Sequence, residues 1–217
     1  MMFEKIFPKI HPEGYRFLAI SGVITLILWV MSNFFGIVFG IITIWVYYFF
    51  RDPDRTIIQD DNFLVSPADG IISAIKEVNG PIELGLESKT FTRVSIFMNI
   101  FNCHVNRSPM SGKIEDIFYK PGKFLNASLD KASEENERNY FKITSKKGEE
   151  IIVVQIAGLI ARRIVTQVTI NENLSQGQRI GMIRFGSRVD LYIQNKKILA
   201  QVGQNVTAGE SLLAKDS

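Results

Sequence analysis

Ser66-Pro67-Ala68-Asp69-Gly70-Ile71-Ile72 is echoed further along the chain by Ser108-Pro109-Met110-Ser111-Gly112-Lys113-Ile114. A second pair follows the same logic: Asn173-Leu174-Ser175-Gln176-Gly177-Gln178-Arg179-Ile180 and Asn205-Val206-Thr207-Ala208-Gly209-Glu210-Ser211-Leu212. Each pair couples a turn to the start of an apolar run. Around them lie short runs rich in β-branched residues: 70–75, 93–98, 151–157 and 164–168. Such runs, bounded by turn residues, read as strands. Two matching halves predict a mainly β fold, a compact antiparallel β-sandwich. Recurring hairpin chemistry, with glycine supplying positive φ at turns, accounts for the repeats as well as a shared ancestry does.

The strand pattern begins only after residue 50. Residues 17–50 carry no charged side chain, and 34 uncharged residues exceed the roughly 20 that one helix needs to cross a bilayer. The run breaks near Ser32-Asn33, which predicts two helices of about 15 residues each, a hairpin short for a full hydrocarbon core. Lys5, Lys9 and Arg16 precede it, and Arg51 and Arg55 follow it. Positive charge at both ends places both on the cytoplasmic side of a cell membrane. A signal peptide fits poorly, because the run is too long and no small-residue cleavage site follows. The expected organisation is a basic and polar segment 1–16, a membrane hairpin 17–50 and a β domain 51–217.

The charge balance, 25 Lys and Arg against 22 Asp and Glu, is small and dispersed. It predicts a solvated surface rather than a nucleic-acid-binding face. A single cysteine, Cys103, precludes an intramolecular disulfide. It stands next to His104 in a strand-like run, so the two side chains should face opposite ways, and packing is its expected role. No Gly-x-Gly-x-x-Gly, no Walker loop and no metal-ligand spacing of His and Cys is present.

Chemistry is suggested by Arg184-Phe185-Gly186-Ser187-Arg188-Val189-Asp190, which is flanked on both sides by strand-like runs. Serine becomes a useful nucleophile only when a base takes its proton. His104 is the one histidine beyond residue 11, and Asp69 lies in the first repeat. A lone histidine usually packs, and Asp before Gly usually forms a turn. The repeat weakens the second default, because Ser111 fills the place of Asp69 and the turn therefore does not require Asp. A general Ser-His-Asp hydrolase lacks support, since there is no Gly-x-Ser-x-Gly elbow.

Taken together, Phe50-Arg51-Asp52-Pro53, the Ser66–Gly70 segment, Phe101-Asn102-Cys103-His104-Val105-Asn106-Arg107 and Phe185-Gly186-Ser187 resemble the phosphatidylserine decarboxylase family in its short form. The resemblance runs from about residue 48 to the C-terminus. It implies a proenzyme that cuts itself between Gly186 and Ser187, giving a large chain 1–186 and a small chain 187–217. Oγ of Ser187 attacks the Gly186 carbonyl, the resulting ester eliminates, and hydration with loss of ammonia leaves a pyruvoyl group. His104 is implied as the base, with Asp69 orienting it and stabilising its charged form. The pyruvoyl ketone derived from Ser187 is implied to form a Schiff base with phosphatidylserine. Carbon dioxide is then lost and phosphatidylethanolamine released, without metal or pyridoxal phosphate. The two chains would remain a heterodimer.

The repeats also resemble the lipoyl/biotinyl carrier barrel-sandwich, which keeps open a membrane-tethered adaptor without catalysis. Such a carrier needs a lysine presented in a tight hairpin. Lys113, Lys196 and Lys197 are candidates, but they lack the usual context. Arg51, Arg55 and Arg107 are candidate partners for a head-group phosphate. Residues 123–139 are expected to form a polar surface loop, short helix or flap.

Overall fold

The computed structural model describes residues 7–125, 135–158, 163–184 and 187–216. They form two compact units, Met1–Asp54 with Phe101–Cys103, and Arg55–Ile100 with His104–Ser217.

The first unit is built on helices α1 (Tyr15–Met31) and α2 (Asn33–Phe49). Ser32 separates them with an extended backbone, φ −164° and ψ 130°. The helices fold back on each other. Thr25 and Thr43 join their hydroxyls at 2.9 Å. Gly36 lies so close to Trp29 that a Cβ there would meet the Trp29 backbone at 2.8 Å. Together with the turn before it, α1 forms a predominantly apolar stretch of 20 residues, Pro12–Met31, enough by length and composition to cross a membrane; α2, with 17 residues, is shorter than that stretch. Leu26, Val30, Phe34 and Ile41 are exposed, while Phe49 and Phe50 are buried. Phe50 stacks on Phe17 at 5.1 Å between ring centroids.

The second unit is mostly antiparallel strand. In chain order the strands are β1 (Phe63–Val65), β2 (Gly70–Asn79), β3 (Thr90–Met98), β4 (Val105–Arg107), β5 (Gly112–Lys120), β6 (Arg138–Thr144), β7 (Glu150–Ala157), β8 (Arg163–Thr166), β9 (Asn173–Leu174), β10 (Arg179–Arg184), β11 (Ser187–Ile193), β12 (Lys196–Ile198), β13 (Asn205–Val206) and β14 (Leu212–Asp216). Among the described residues an eight-stranded sheet runs β13-β2-β3-β11-β7-β6-β5-β9. Two three-stranded sheets, β1-β14-β12 and β4-β10-β8, complete the unit.

The repeats are structural as well as sequential. Ser66 Oγ donates to the Ala68 carbonyl, and Ser108 Oγ to that of Met110, both at 2.7 Å. Gly209 N donates to Ser66 O, and Gly177 N to Ser108 O, both at 2.8 Å. Ile72 N reaches Gln204 O, and Ile114 N reaches Glu172 O, both at 2.9 Å. The register slips at matching places, between Ile72 and Ala74 and between Ile114 and Asp116.

The glycines divide into two kinds. Gly177 and Gly209 do take positive φ, 76° and 79°. Gly70 and Gly112 do not. They admit a neighbouring strand, since a Cβ on Gly70 would meet Phe97 O at 2.2 Å, and one on Gly112 would meet Thr144 O at 2.6 Å. Positive φ is therefore only half of the reason glycine recurs.

One half of this arrangement is continuous, β4 to β10. The other is split into β1–β3 and β11–β14, with the continuous half lying between them in sequence. In the continuous half β6 and β7 are joined by a short hairpin. In the split half the corresponding neighbours, β3 and β11, are separated by the whole intervening module. Ser187 is the first residue of β11, at the seam where the chain re-enters the split half.

The main core gathers the inward faces of both halves: Ile72, Ile96, Phe141, Val153, Ile180, Val189, Leu191 and Leu213 among others. A smaller cluster, Leu86, Phe91, Tyr140, Ile152, Val154 and Ile156, covers the opposite face of the large sheet. There the Arg188 guanidinium pairs twice with Asp190, at 2.7 and 2.8 Å.

Candidate active site

Ser187 is held by strand pairing on both sides, opposite Met98 of β3 and Ala157 of β7. Alternation along β11 puts it on the same face as Val189 and Leu191, and it is fully buried. Its hydroxyl donates to Met98 Sδ at 3.4 Å. Phe185 and Gly186, the other side of the expected scissile bond, lie outside the described residues.

His104 is also fully buried. It extends the β4 ladder: Val105 pairs with Met182, Asn106 with Gly181, and Ile183 N donates to the His104 carbonyl at 3.3 Å. Two residues apart on an extended segment, His104 and Asn106 share a face. Asn106 Nδ2 contacts Met98 Sδ at 3.8 Å, the sulfur that also accepts from Ser187. The His104 segment is thus brought to the serine through Asn106 and Met98.

Asp69 sits at the mouth of β2. Its Oδ1 accepts from the Ala208 amide at 2.8 Å and its Oδ2 from Arg55 Nη2 at 2.7 Å. No hydrogen bond joins it to His104. In the other half Ser111 Oγ accepts from the Gln176 amide at 3.3 Å, the counterpart of the Ala208 bond. A hydroxyl therefore suffices to hold that turn. The second oxygen and the charge of Asp69 are spent on Arg55, with both side chains largely buried.

Of the other candidates, Arg107 donates from Nη1 to the Gly177 carbonyl at 2.9 Å, and Arg51 from Nη2 to the Phe101 carbonyl at 2.8 Å. Cys103 is a buried thiol whose Sγ donates to the Arg51 carbonyl at 3.2 Å. Lys196 is buried between Glu149 and Asp216, which makes it a poor carrier lysine. Burial alone would lower its pKa, but the two carboxylates more than offset this and hold it above the ordinary value. Of 123–139, residues 126–134, with Asn126, Asp130, Lys131 and Glu134, lie outside the described residues.

A set of neutral polar side chains that no sequence motif singles out lies close to Ser187. Gln155 Nε2 donates to Asn106 Oδ1 at 2.8 Å, and Asn139 Nδ2 donates to Gln155 Oε1 at 3.2 Å and to Thr166 Oγ1 at 3.3 Å. Asn106, Asn139 and Gln155 are all buried. The available signal was Gln155 itself, a lone polar residue inside Ile151-Ile152-Val153-Val154-Gln155-Ile156-Ala157. Buried amides are costly unless bonded to one another.

The buried serine at the start of β11 and the segment carrying His104 are thus linked through Met98 and Asn106. The profile of a family described as phosphatidylserine decarboxylase matches residues 42–214. A phosphatidylserine decarboxylase proenzyme of Pelagibacter ubique is 64% identical over 99% of this chain and 100% of its own length. Proteins of the same description from Ruegeria pomeroyi and Cereibacter sphaeroides are 48% and 47% identical, each over 98% of this chain and over 98% and 92% of their own lengths. The family match and these relatives place the chain among the decarboxylases. It belongs to the phosphatidylserine decarboxylase family. A carrier without catalysis is thereby set aside.

Proposed function

We propose that this chain is a proenzyme that cuts itself between Gly186 and Ser187 and, as two associated chains, converts phosphatidylserine to phosphatidylethanolamine and carbon dioxide at the cytoplasmic face of a membrane. The observation that carries this reading is the placement of Ser187: buried, first in a central strand, at the seam of the split half and beside the His104–Asn106 face. Holding the attacking hydroxyl at a fixed strand position removes much of the orientational cost of the first step. His104 takes its proton. Asp69 supports the resulting imidazolium, which requires its carboxylate to turn from Arg55.

The surroundings of Ser187 suit a pyruvoyl group made from it, because the neighbours are a thioether and neutral amides rather than charges, and an α-keto amide is neutral and accepts hydrogen bonds. When formed, that group supplies an electron sink for loss of the carboxylate of an α-amino acid head group. The residues of this chain position it, exclude water from it and move protons around it. The apolar helices fit a substrate whose acyl chains stay in the bilayer.

The small chain would carry β11 to β14. Intact mass spectrometry of the purified protein tests the reading. Wild type should give chains of 186 and 31 residues, and Ser187→Ala a single chain of 217. Active wild type in one piece would overturn it.

A further inference from the structure

We propose that Phe101 is a membrane contact: its ring lies in the head-group layer of the bilayer, at the base of the helical hairpin. The inference rests on the membrane attachment proposed above. Phe101 is 68% exposed. Its segment, Phe101–Cys103, belongs to the compact unit of the two helices. Arg51 holds it there. Arg51 Nη2 donates to the Phe101 carbonyl at 2.8 Å and Nη1 to that of Tyr48 at 2.7 Å, while Cys103 Sγ donates to the Arg51 carbonyl at 3.2 Å.

The segment that precedes α1 braces the same end of the hairpin. Tyr47 Oη donates to Pro8 O at 2.7 Å, Asp52 N to Lys9 O at 2.7 Å, and His11 N to Phe50 O at 2.8 Å. Phe7, Tyr15 and Tyr48, in or beside these contacts, are exposed, as is Arg16. A single exposed apolar side chain is ordinary on any protein. Several exposed aromatic rings, gathered with arginine at the foot of apolar helices, have the composition of a bilayer interface.

The lengths agree with this placement. Each helix has 17 residues. At about 1.5 Å per residue it rises roughly 25 Å, close to the ~30 Å hydrocarbon core, so a hairpin inserted turn first leaves its base at the head groups. Arg51 stands just beyond the end of α2, and the carbonyl it holds stays at that level. The residue after Cys103 is His104. The segment carrying the expected base is thus tied, by one peptide bond, to a loop at the level of the substrate's head group.

The test places the full chain in lipid nanodiscs with Phe101→Trp in a Trp29→Phe, Trp45→Phe background. Emission is quenched by phosphatidylcholine brominated near the head group, by phosphatidylcholine brominated near the chain ends, or by aqueous acrylamide. Val202→Trp in the same background is the solvent-exposed control. The indole at position 101 should lose most of its emission to the shallow bromines, less to the deep ones, and little to acrylamide. An indole there that acrylamide quenches as fully as the control, and that neither lipid quenches, would overturn the proposal. If that background does not fold, Phe101→Cys with Cys103→Ser, which keeps both native tryptophans, decides by labelling with a water-soluble maleimide. Its thiol should label many times more slowly than that of Val202→Cys with Cys103→Ser, and equal rates count against the proposal. Trp29, kept alone by Trp45→Phe, reports on the reading beneath. If neither brominated lipid quenches it, attachment through the hairpin fails, and not merely the placement of Phe101.

Discussion

Leu191→Ala should loosen the grip of the large chain on the small one. Leu191 lies at the middle of β11, opposite Val94 on one side and Val153 on the other, and is fully buried. Val189, Leu191, Ile193, Val206 and Leu213 of the small chain are all buried. At roughly 1.5–3 kcal/mol for each fully buried side chain, their burial contributes on the order of 10 kcal/mol before ordering costs. Wild-type chains should therefore stay together at micromolar concentration in native buffer. Truncating a buried leucine to alanine costs about 2–5 kcal/mol. At about 1.4 kcal/mol per factor of ten, retention should weaken by roughly 30-fold to a few thousand-fold. The assay tethers the large chain by its N-terminus, washes it through a guanidinium series, and quantifies the small chain by mass spectrometry. Loss of the wild-type small chain in native buffer would refute the reasoning. So would a Leu191→Ala protein that releases its small chain at the same denaturant concentration as wild type.

Further outcomes follow from the same geometry. Gly70→Ala should prevent folding and cleavage, because its Cβ would stand 2.2 Å from the Phe97 carbonyl oxygen. Gly203→Ala should cost only about 1 kcal/mol in melting experiments, since its φ of 87° is unfavourable but nothing lies within 4 Å of the new Cβ. His104→Ala should abolish cleavage on gels, Asp69→Asn should slow it severely, and Cys103→Ser should leave it normal. Lys196 chiefly, with Lys147, holds the Asp216 carboxyl below its ordinary pKa. Its contribution to stability is therefore present above the unfolded value of about 3.9 and is lost as pH falls through the folded one. Asp216→Asn should lower the melting temperature at neutral pH and reduce its further fall below about pH 4. A chain starting near Arg51 should still self-cleave, if it folds, and should lose activity on bilayer substrate more than on short-chain soluble phosphatidylserine.

The fold was largely legible because its logic is local. The Ser-Pro-x-x-Gly and Gly177/Gly209 segments announce a strand start and a turn wherever they occur, and the uncharged run 17–50 announces apolar helices. The runs on either side of Gly186-Ser187 likewise read as strands. What the sequence could not display was the pairing of distant strands. That β11 lies between β3 and β7, rather than beside β10 which precedes it in the chain, depends on contacts across most of the domain. The same limit applied to the site. Ser187, His104 and Asp69 stood out through their types and neighbours. Asn106, Gln155 and Asn139 acquire meaning only when β4, β7 and β6 are brought together. The partners of Asp69 were hidden for the same reason, because Arg55 and the Ala208 amide approach it from segments far apart in the chain.

The central claim is that Ser187 becomes the blocked, ketone-bearing end of a separate chain. The most direct test is the exact mass of the 31-residue chain with and without borohydride treatment. The account predicts a mass lower, by one ammonia, than that of the peptide 187–217 beginning with serine, and a gain of two hydrogens on reduction. A small chain beginning with an intact serine, unchanged by borohydride, would contradict it.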